Sequence, residues 1–563
     1  MEIIEQLADA MEVHTVRGGE RIFQEGSAAD SMLVLLKGRL RILRRDADGQ
    51  PLLYNEISPG EIVGDMGLIL EQQRTSDVVA VRDSAYAMLT REVLQALLKR
   101  FPVELNQLFC QTIYNRIRPQ DKNIERHQAH AFVVIPLHRE ACVREVAESL
   151  TQALSRKSQA SLMRPTSEQR SPLESGSDYL VFEGDLAEPE WTRRAFLQSD
   201  QIIFVANADA ESNDPLIENL LAREPGFTLM RRHLLLFHKP GQSASTEAIE
   251  RWQRDRDVER VYLARQSTGK DFERLARFLT NAAVGLVLGG GGARGFAHLG
   301  VIKAMEDASI PIDIIGGNSM GALIGAQYAM GVPTNEILER TRHFALGGEH
   351  PALPVLSLLS GRRMSRDLQK MFGSEKIETL WQPFFAATCN LSKACITVRD
   401  TGPLWQAVMA SNSPAGLLPP VLQQGELLVD CAILDNVPVT TMRSRLGAPL
   451  EKRRGNGSVI AIDVDVRETL AVNPETKRLS TWGSIKSLWG IGNEKMPNII
   501  DVLSRATHIG GLAQRSRAIA LADFYLEPPV SEFSMMGYRK AEQIANIGYK
   551  YASEQISHWK LPG

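Results

Sequence analysis

Long apolar runs are missing from this chain of 563 residues. Without a window of about 18 consecutive apolar residues, no membrane-spanning helix is expected, and any membrane contact is peripheral. Cysteine is scarce. Cys110, Cys142, Cys389, Cys395 and Cys431 are odd in number and lack metal-ligand spacing. This argues against a disulfide framework or thiolate metal site and points to reduced thiols in the cytoplasm. Neither sign of charge dominates: the net charge of -3 argues against a dedicated nucleic-acid binder. The opening stretch MEIIEQLADAMEVHTV has acidic residues and no basic segment before an apolar core, so no secretory leader is expected. Nucleotide signatures are absent from residues 130–280. Neither GxxxxGK[ST] nor GxGxxG occurs there, and the STGK at Ser267–Lys270 has no upstream glycine.

What the chain does have is apolar mass, 44% hydrophobic against 23% charged residues, enough for several cores. Its length and patterning predict three blocks. Residues 1–125 read as short strands around glycine turns (ERIFQEG, SMLVLLKGRLRILRR, TSDVVAVRDSAYAML) followed by a helical tail, which suggests a small antiparallel barrel. Residues 130–280 alternate apolar strands with helical patterns, an α/β layout with a parallel sheet and no readable active site. Residues 281–563 carry the chemistry.

That third block opens with VGLVLGGGGARGFAHLGVIKAME, a fully apolar strand, a glycine loop and a helix. Free N–H groups at such a turn form an anion site, for a nucleotide phosphate or for the oxyanion of acyl transfer. The loop alone does not choose between them. The next strand–turn–helix, IPIDIIGGNSMGALIGAQYAMG, holds Gly317-Asn318-Ser319-Met320-Gly321, a GxSxG nucleophile elbow with Ser319 as the candidate nucleophile. A serine needs a base. His343, His350, His508 and His558 follow in the chain, and His508 in RATHIGGL is the one candidate partner for a Ser-His-Asp arrangement. The alternative is Asp430, at the end of the predicted strand GELLVD, acting directly as the base.

Two resemblances follow from these stretches. GEIVGDMGLILEQQRTSDVVA resembles the phosphate-binding cassette of cyclic-nucleotide-binding domains. There, backbone N–H groups after Gly64, the Thr75 hydroxyl and the Arg74 guanidinium would hold a cyclic phosphate. Asp65 stands in the slot where that family has a ribose-binding Glu. In the third block GGGARG, GNSMG, ASNSPAGLLPP and DCA (Asp430–Ala432) match in order and spacing the four motifs of the patatin-like phospholipase family. The whole layout is similar to the neuropathy target esterase group.

The resemblance implies a multidomain α/β protein: an antiparallel β-barrel like a cyclic-nucleotide-binding domain, an α/β connector and a patatin-like α/β hydrolase domain. It implies Ser319 as nucleophile and Asp430 as base, with Gly290, Gly291 and Gly292 giving oxyanion N–H groups and Arg294 bracing the loop. Cys431 occupies the family's usual Gly, and Asp435 falls in an Asn slot. If position 431 needs a positive φ, its Cβ costs about 1 kcal/mol. The expected activity is hydrolysis of phospholipid or lysophospholipid acyl esters, with no metal or organic cofactor. The expected place is the cytoplasm, with peripheral contact at the inner membrane face. Further candidate partners are a cyclic nucleotide and a second copy of the chain; nucleic acid is not expected. Trp482, Ile485, Leu488 and Trp489, beside Lys486, have the spacing of an interfacial helix. The rival reading is a catalytically inactive, nucleotide-responsive scaffold, supported by Cys431.

Overall fold

The computed structural model describes residues 9–45, 51–70, 72–107, 130–165, 177–211, 214–224, 226–266, 268–446, 457–465 and 513–559, with residues 6, 510 and 511 besides. The candidate interfacial stretch at 482–489, His508 and Cys110 lie outside the described residues. The chain divides into two compact units, residues 1–280 and 281–563.

Among the described residues the first unit begins with the strands β1 (Glu12–Val16), β2 (Arg21–Phe23), β3 (Ser31–Lys37), β4 (Leu40–Arg45), β5 (Pro51–Ile57), β6 (Ile62–Val63), β7 (Asp77–Ala80) and β8 (Ser84–Thr90). They form two antiparallel sheets, ordered β1-β8-β3-β6 and β2-β7-β4-β5. Phe23, Leu33, Leu35, Leu40, Ile57, Val63, Val78 and Ala80 fill the core between them. A short helix, α1 (Asp65–Ile69), interrupts the strands, and α2 (Arg91–Arg100) follows them.

The rest of this unit alternates strand and helix. The strands are β9 (His130–Pro136), β10 (Ala160–Met163), β11 (Tyr179–Glu183), β12 (Gln201–Asn207), β13 (Arg231–His238) and β14 (Arg260–Arg265). The helices are α3 (Val143–Ser155), α4 (Pro189–Leu197), α5 (Leu216–Leu221), α6 (Thr246–Gln253) and α7 (Gly269–Leu279). All six strands are parallel, in the order β10-β11-β9-β12-β13-β14. Helices on a parallel sheet explain why β9 and β12 read as continuous apolar runs. Buried ion pairs join the two parts of the unit. Asp200, just before β12, lies 3.3 Å from Arg39 and 3.0 Å from Arg82 and accepts the Ala131 N–H. Burial alone would raise its pKa, but Arg82 and Arg39 hold the carboxyl below the usual range.

In the second unit the strands are β15 (Val284–Leu288), β16 (Ile314–Gly317), β17 (Phe384–Asn390), β18 (Cys395–Arg399), β19 (Val421–Gln423), β20 (Glu426–Asp430), β21 (Ser458–Ile462) and β22 (Phe524–Leu526). The sheet order is β19-β20-β17-β16-β15-β21-β22, with β18 on β17. The strands from β17 to β22 along this order are parallel, and β18, β19 and β20 are antiparallel additions. The helices are α8 (Ala297–Asp307), α9 (Met320–Ala329), α10 (Thr334–Leu346), α11 (Arg362–Phe372), α12 (Leu404–Ser411), α13 (Val439–Leu446) and α14 (Ala541–Ile556). The glycine loop leaves the carboxyl end of β15, and the GxSxG turn leaves that of its neighbour β16. Sites in open α/β sheets form at such ends. Among the described residues no helix is long and apolar enough to cross a membrane.

Candidate active site

Ser319 sits between β16 and α9 with φ 53° and ψ -125°, a conformation that non-glycine residues rarely adopt. Such strain is what lifts the side chain of a nucleophile elbow away from its own backbone. The turn is tight because Gly321 lies directly against β15: a Cβ there would meet the Leu288 carbonyl oxygen at 2.1 Å. The Ser319 N–H donates to the Ser411 hydroxyl at 3.0 Å, and that hydroxyl donates to the Ala387 carbonyl at 2.8 Å.

Sheet register brings Asp430 to the same place. Gly317 aligns with Ala386 on β17, and two residues further on Thr388 aligns with Asp430 on β20. The Asp430 carboxylate accepts from the Ala432 N–H at 2.9 Å and from Asn318 Nδ2 at 3.0 Å. Asn318 also accepts the Cys431 N–H through Oδ1 at 3.0 Å. The residue next to the serine therefore fixes the candidate base.

The glycine loop packs against this pair. A Cβ on Gly290 would lie 2.6 Å from Asn436 Oδ1 and 3.1 Å from Ser319 Cβ. Asn436 donates to the Gly290 carbonyl at 3.0 Å and accepts from Asn318 at 3.2 Å, so one amide couples the loop to the elbow. The Gly290 N–H reaches the Asn436 carbonyl only at 3.4 Å. Among the described residues the N–H groups of Gly291 and Gly292 have no hydrogen-bond partner. Arg294 is buried and donates from Nε to the Phe533 carbonyl at 2.6 Å, while the Ala293 N–H donates to Met535 O at 2.8 Å. Both contacts tie the loop to the 533–535 segment.

Sequence reasoning assigned no role to Asn318, Asn436, Ser411 or His298. His298 is fully buried on α8, and burial holds its pKa down to about 4. The neutral ring donates from Nε2 to the Gly289 carbonyl at 2.8 Å, supporting the loop. His343, His350 and His558 are exposed, and none has a hydrogen bond to Ser319 or Asp430. Cys431 is fully buried in a short 3-10 turn and is not among the residues with positive φ. The strain expected from a Cβ at this position is absent.

Asp435 lines a small crevice with Asp463, Asp465, Arg515 and Tyr525. Burial pushes its pKa up to about 7, against the lowering effects of the Val437 N–H and Arg517. Unfolded, this carboxyl loses its proton near its ordinary value of 3.8; folded, it keeps the proton to about 7. Its contribution to stability is full below pH 4 and is lost as pH rises through 7. Asp435→Asn keeps an acceptor for the Val437 N–H and removes the charge. Thermal melts should show the variant more stable than wild type at pH 8, by up to about 4 kcal/mol, and equal to it at pH 4. An equal effect at both pH values would sink this account.

In the N-terminal sheets, Gly64 (φ 89°) precedes Asp65 at the start of α1. Thr75 is exposed, whereas Arg74 and Asp65 are buried. The Arg74 guanidinium donates to the carbonyls of Ser31 (2.6 Å) and Gly64 (3.4 Å), lies 3.5 Å from Asp30 and stacks 3.7 Å from the Phe23 ring centroid.

Residues 286–443 match the family described as patatin-like phospholipase, and residues 13–101 match the cyclic nucleotide-binding domain. Over 99% of its length the chain is 27% identical to patatin-like phospholipase domain-containing protein 6 of Homo sapiens, covering 45% of that protein. Neuropathy target esterase sws of Drosophila melanogaster is 26% identical, with coverage of 100% and 44%, and lysophospholipase NTE1 of Mycosarcoma maydis is 26% identical, with coverage of 100% and 34%. The chain spans less than half the length of these relatives. The match to the patatin-like phospholipase family falls in its second unit, and the match to the cyclic nucleotide-binding domain falls at the start of its first.

Proposed function

We propose that the protein is a serine esterase that hydrolyses acyl esters of phospholipids or lysophospholipids. The observation that carries this reading is the strained Ser319, next in the chain to the Asn318 that holds Asp430, with two glycine N–H groups that have no partner among the described residues. Ser319 Oγ attacks the ester carbonyl and its proton passes to Asp430. The N–H groups of Gly291 and Gly292 receive the oxyanion, with Gly290 holding the loop against the serine. The alcohol leaves with a proton, and water, activated by Asp430, releases the fatty acid. No step requires a metal or an organic cofactor. The names of the relatives, an esterase and a lysophospholipase, support the substrate class. The test is fatty-acid release from lysophosphatidylcholine, together with labelling by a fluorophosphonate. Wild type should do both. Ser319→Ala should lose the label and about 10⁵–10⁶ of kcat. A folded wild type that neither labels nor hydrolyses would overturn the proposal.

The regulatory part of the proposal is a cyclic nucleotide at the cassette of Gly64, Asp65, Arg74 and Thr75. Its phosphate must draw Arg74 from Ser31 and Asp30, so binding should be about ten- to a hundredfold weaker than an uncommitted guanidinium would give. Calorimetry with cyclic AMP and cyclic GMP should find weak binding that Arg74→Ala removes. Binding that survives this substitution would place the nucleotide elsewhere.

A further inference from the structure

Between α10 and α11 the chain makes a loop with three apolar side chains in solvent: Leu353 (84% exposed), Val355 (83%) and Leu356 (77%). Its base is ordered. Glu349 accepts from the N–H groups of His350 (2.9 Å) and Met364 (3.0 Å) and from the Ser360 hydroxyl (2.9 Å). Helix α11 then buries Met364, Leu368 and Phe372 on one face. Arg362, Arg366 and Lys370, spaced by four residues, share another face and are exposed. Among the described residues none of these three cations has an ion-pair partner, in contrast to Arg363, which pairs with Asp367 at 2.9 Å. An apolar tip beside a row of uncompensated cations matches an anionic bilayer surface, with the tip in the acyl boundary and the cations at the headgroups.

The loop also leads to the active site. The N–H groups of Leu358 and Leu359 donate to the carbonyls of Gly416 (3.0 Å) and Leu417 (2.9 Å). Five residues before Gly416, Ser411 accepts the Ser319 N–H.

We infer that the loop of Leu353, Val355 and Leu356, with the cationic face of α11, docks the protein on an anionic lipid bilayer and presents the bilayer to Ser319. The inference rests on the lipid-esterase reading for its purpose, but its test does not require catalysis. The Ser319→Ala protein is sedimented with vesicles of phosphatidylcholine alone or with added phosphatidylglycerol. Added variants are Leu353→Asp/Leu356→Asp and, separately, Arg366→Gln/Lys370→Gln. The parent should bind the anionic vesicles, less so as salt rises. Removing two cations should weaken binding about 25-fold. In the Ser319 background of wild type, both variants should lose hydrolysis of vesicle lipid while keeping that of a soluble short-chain ester. Variants that bind vesicles like the parent, or a parent that binds none, would overturn the inference. So would a loop variant that changes only the oligomer size in gel filtration, which would assign the surface to a second copy of the chain. Vesicle binding with the expected pattern but no ester hydrolysis by wild type would retain the docking surface and reject the esterase.

Discussion

Asp430→Asn should lower kcat by about four orders of magnitude with little change in KM, because it removes the proposed proton acceptor, needed only as the reaction proceeds. The substitution is close to isosteric. An Asn oxygen can still accept from the Ala432 N–H, which now lies 2.9 Å from Oδ1. The melting temperature should therefore hold near the wild-type value, and a loss of activity would report chemistry rather than folding. What the amide cannot do is take a proton from Ser319. Fluorophosphonate labelling should slow in parallel with ester hydrolysis. His508→Ala provides the contrast and should leave most of the activity. The opposite pattern, with activity kept in Asp430→Asn and lost in His508→Ala, would make histidine the base.

The sequence pattern revealed local structure well. An apolar strand, four glycines and a helix read directly as β15, the loop and α8, since each is set by neighbours in the chain. The elbow at Ser319 and the strand end at Asp430 were legible for the same reason. The links between these pieces were not. Asn318 reaches Asp430 across 112 positions and Asn436 reaches Gly290 across 146, so both bonds depend on sheet register that no local pattern encodes. His298 lies before the elbow, where the order of the motifs suggests no base; its position at the start of the loop's helix was the available signal. Cys431 raised a concern about left-handed backbone that a 3-10 turn removes. In the first unit, the Gly64–Thr75 stretch showed a cassette, but the shortest bond of Arg74, to the Ser31 carbonyl, and its ion pair with Asp30 come from a separate segment. The ion pairs of Asp200 with Arg39 and Arg82 likewise join stretches that read as independent blocks.

Gly290→Ala tests the coupling between loop and elbow. A single methyl group here meets Asn436 Oδ1 at 2.6 Å, closer than real Cβ contacts allow, so something must move. The Asn436 side chain cannot yield without loss, since it donates to the Gly290 carbonyl at 3.0 Å and accepts from Asn318 Nδ2 at 3.2 Å. Pushing it away frees the amide that also holds Asp430. If the loop moves instead, the N–H groups of Gly291 and Gly292 leave the proposed oxyanion position. Either response misplaces groups that must be aligned when charge develops on the carbonyl oxygen. The expected fall in kcat is about 10²–10³-fold, the scale of losing one oxyanion donor. Substrate binding depends less on this alignment, so KM should change little. The fold is held by the sheet and by the Arg294 contact to Phe533, and circular dichroism should remain that of wild type. Activity within a few-fold of wild type would mean that the loop tolerates a side chain beside Ser319. In that case the four glycines would need another explanation than close approach to the reacting carbonyl.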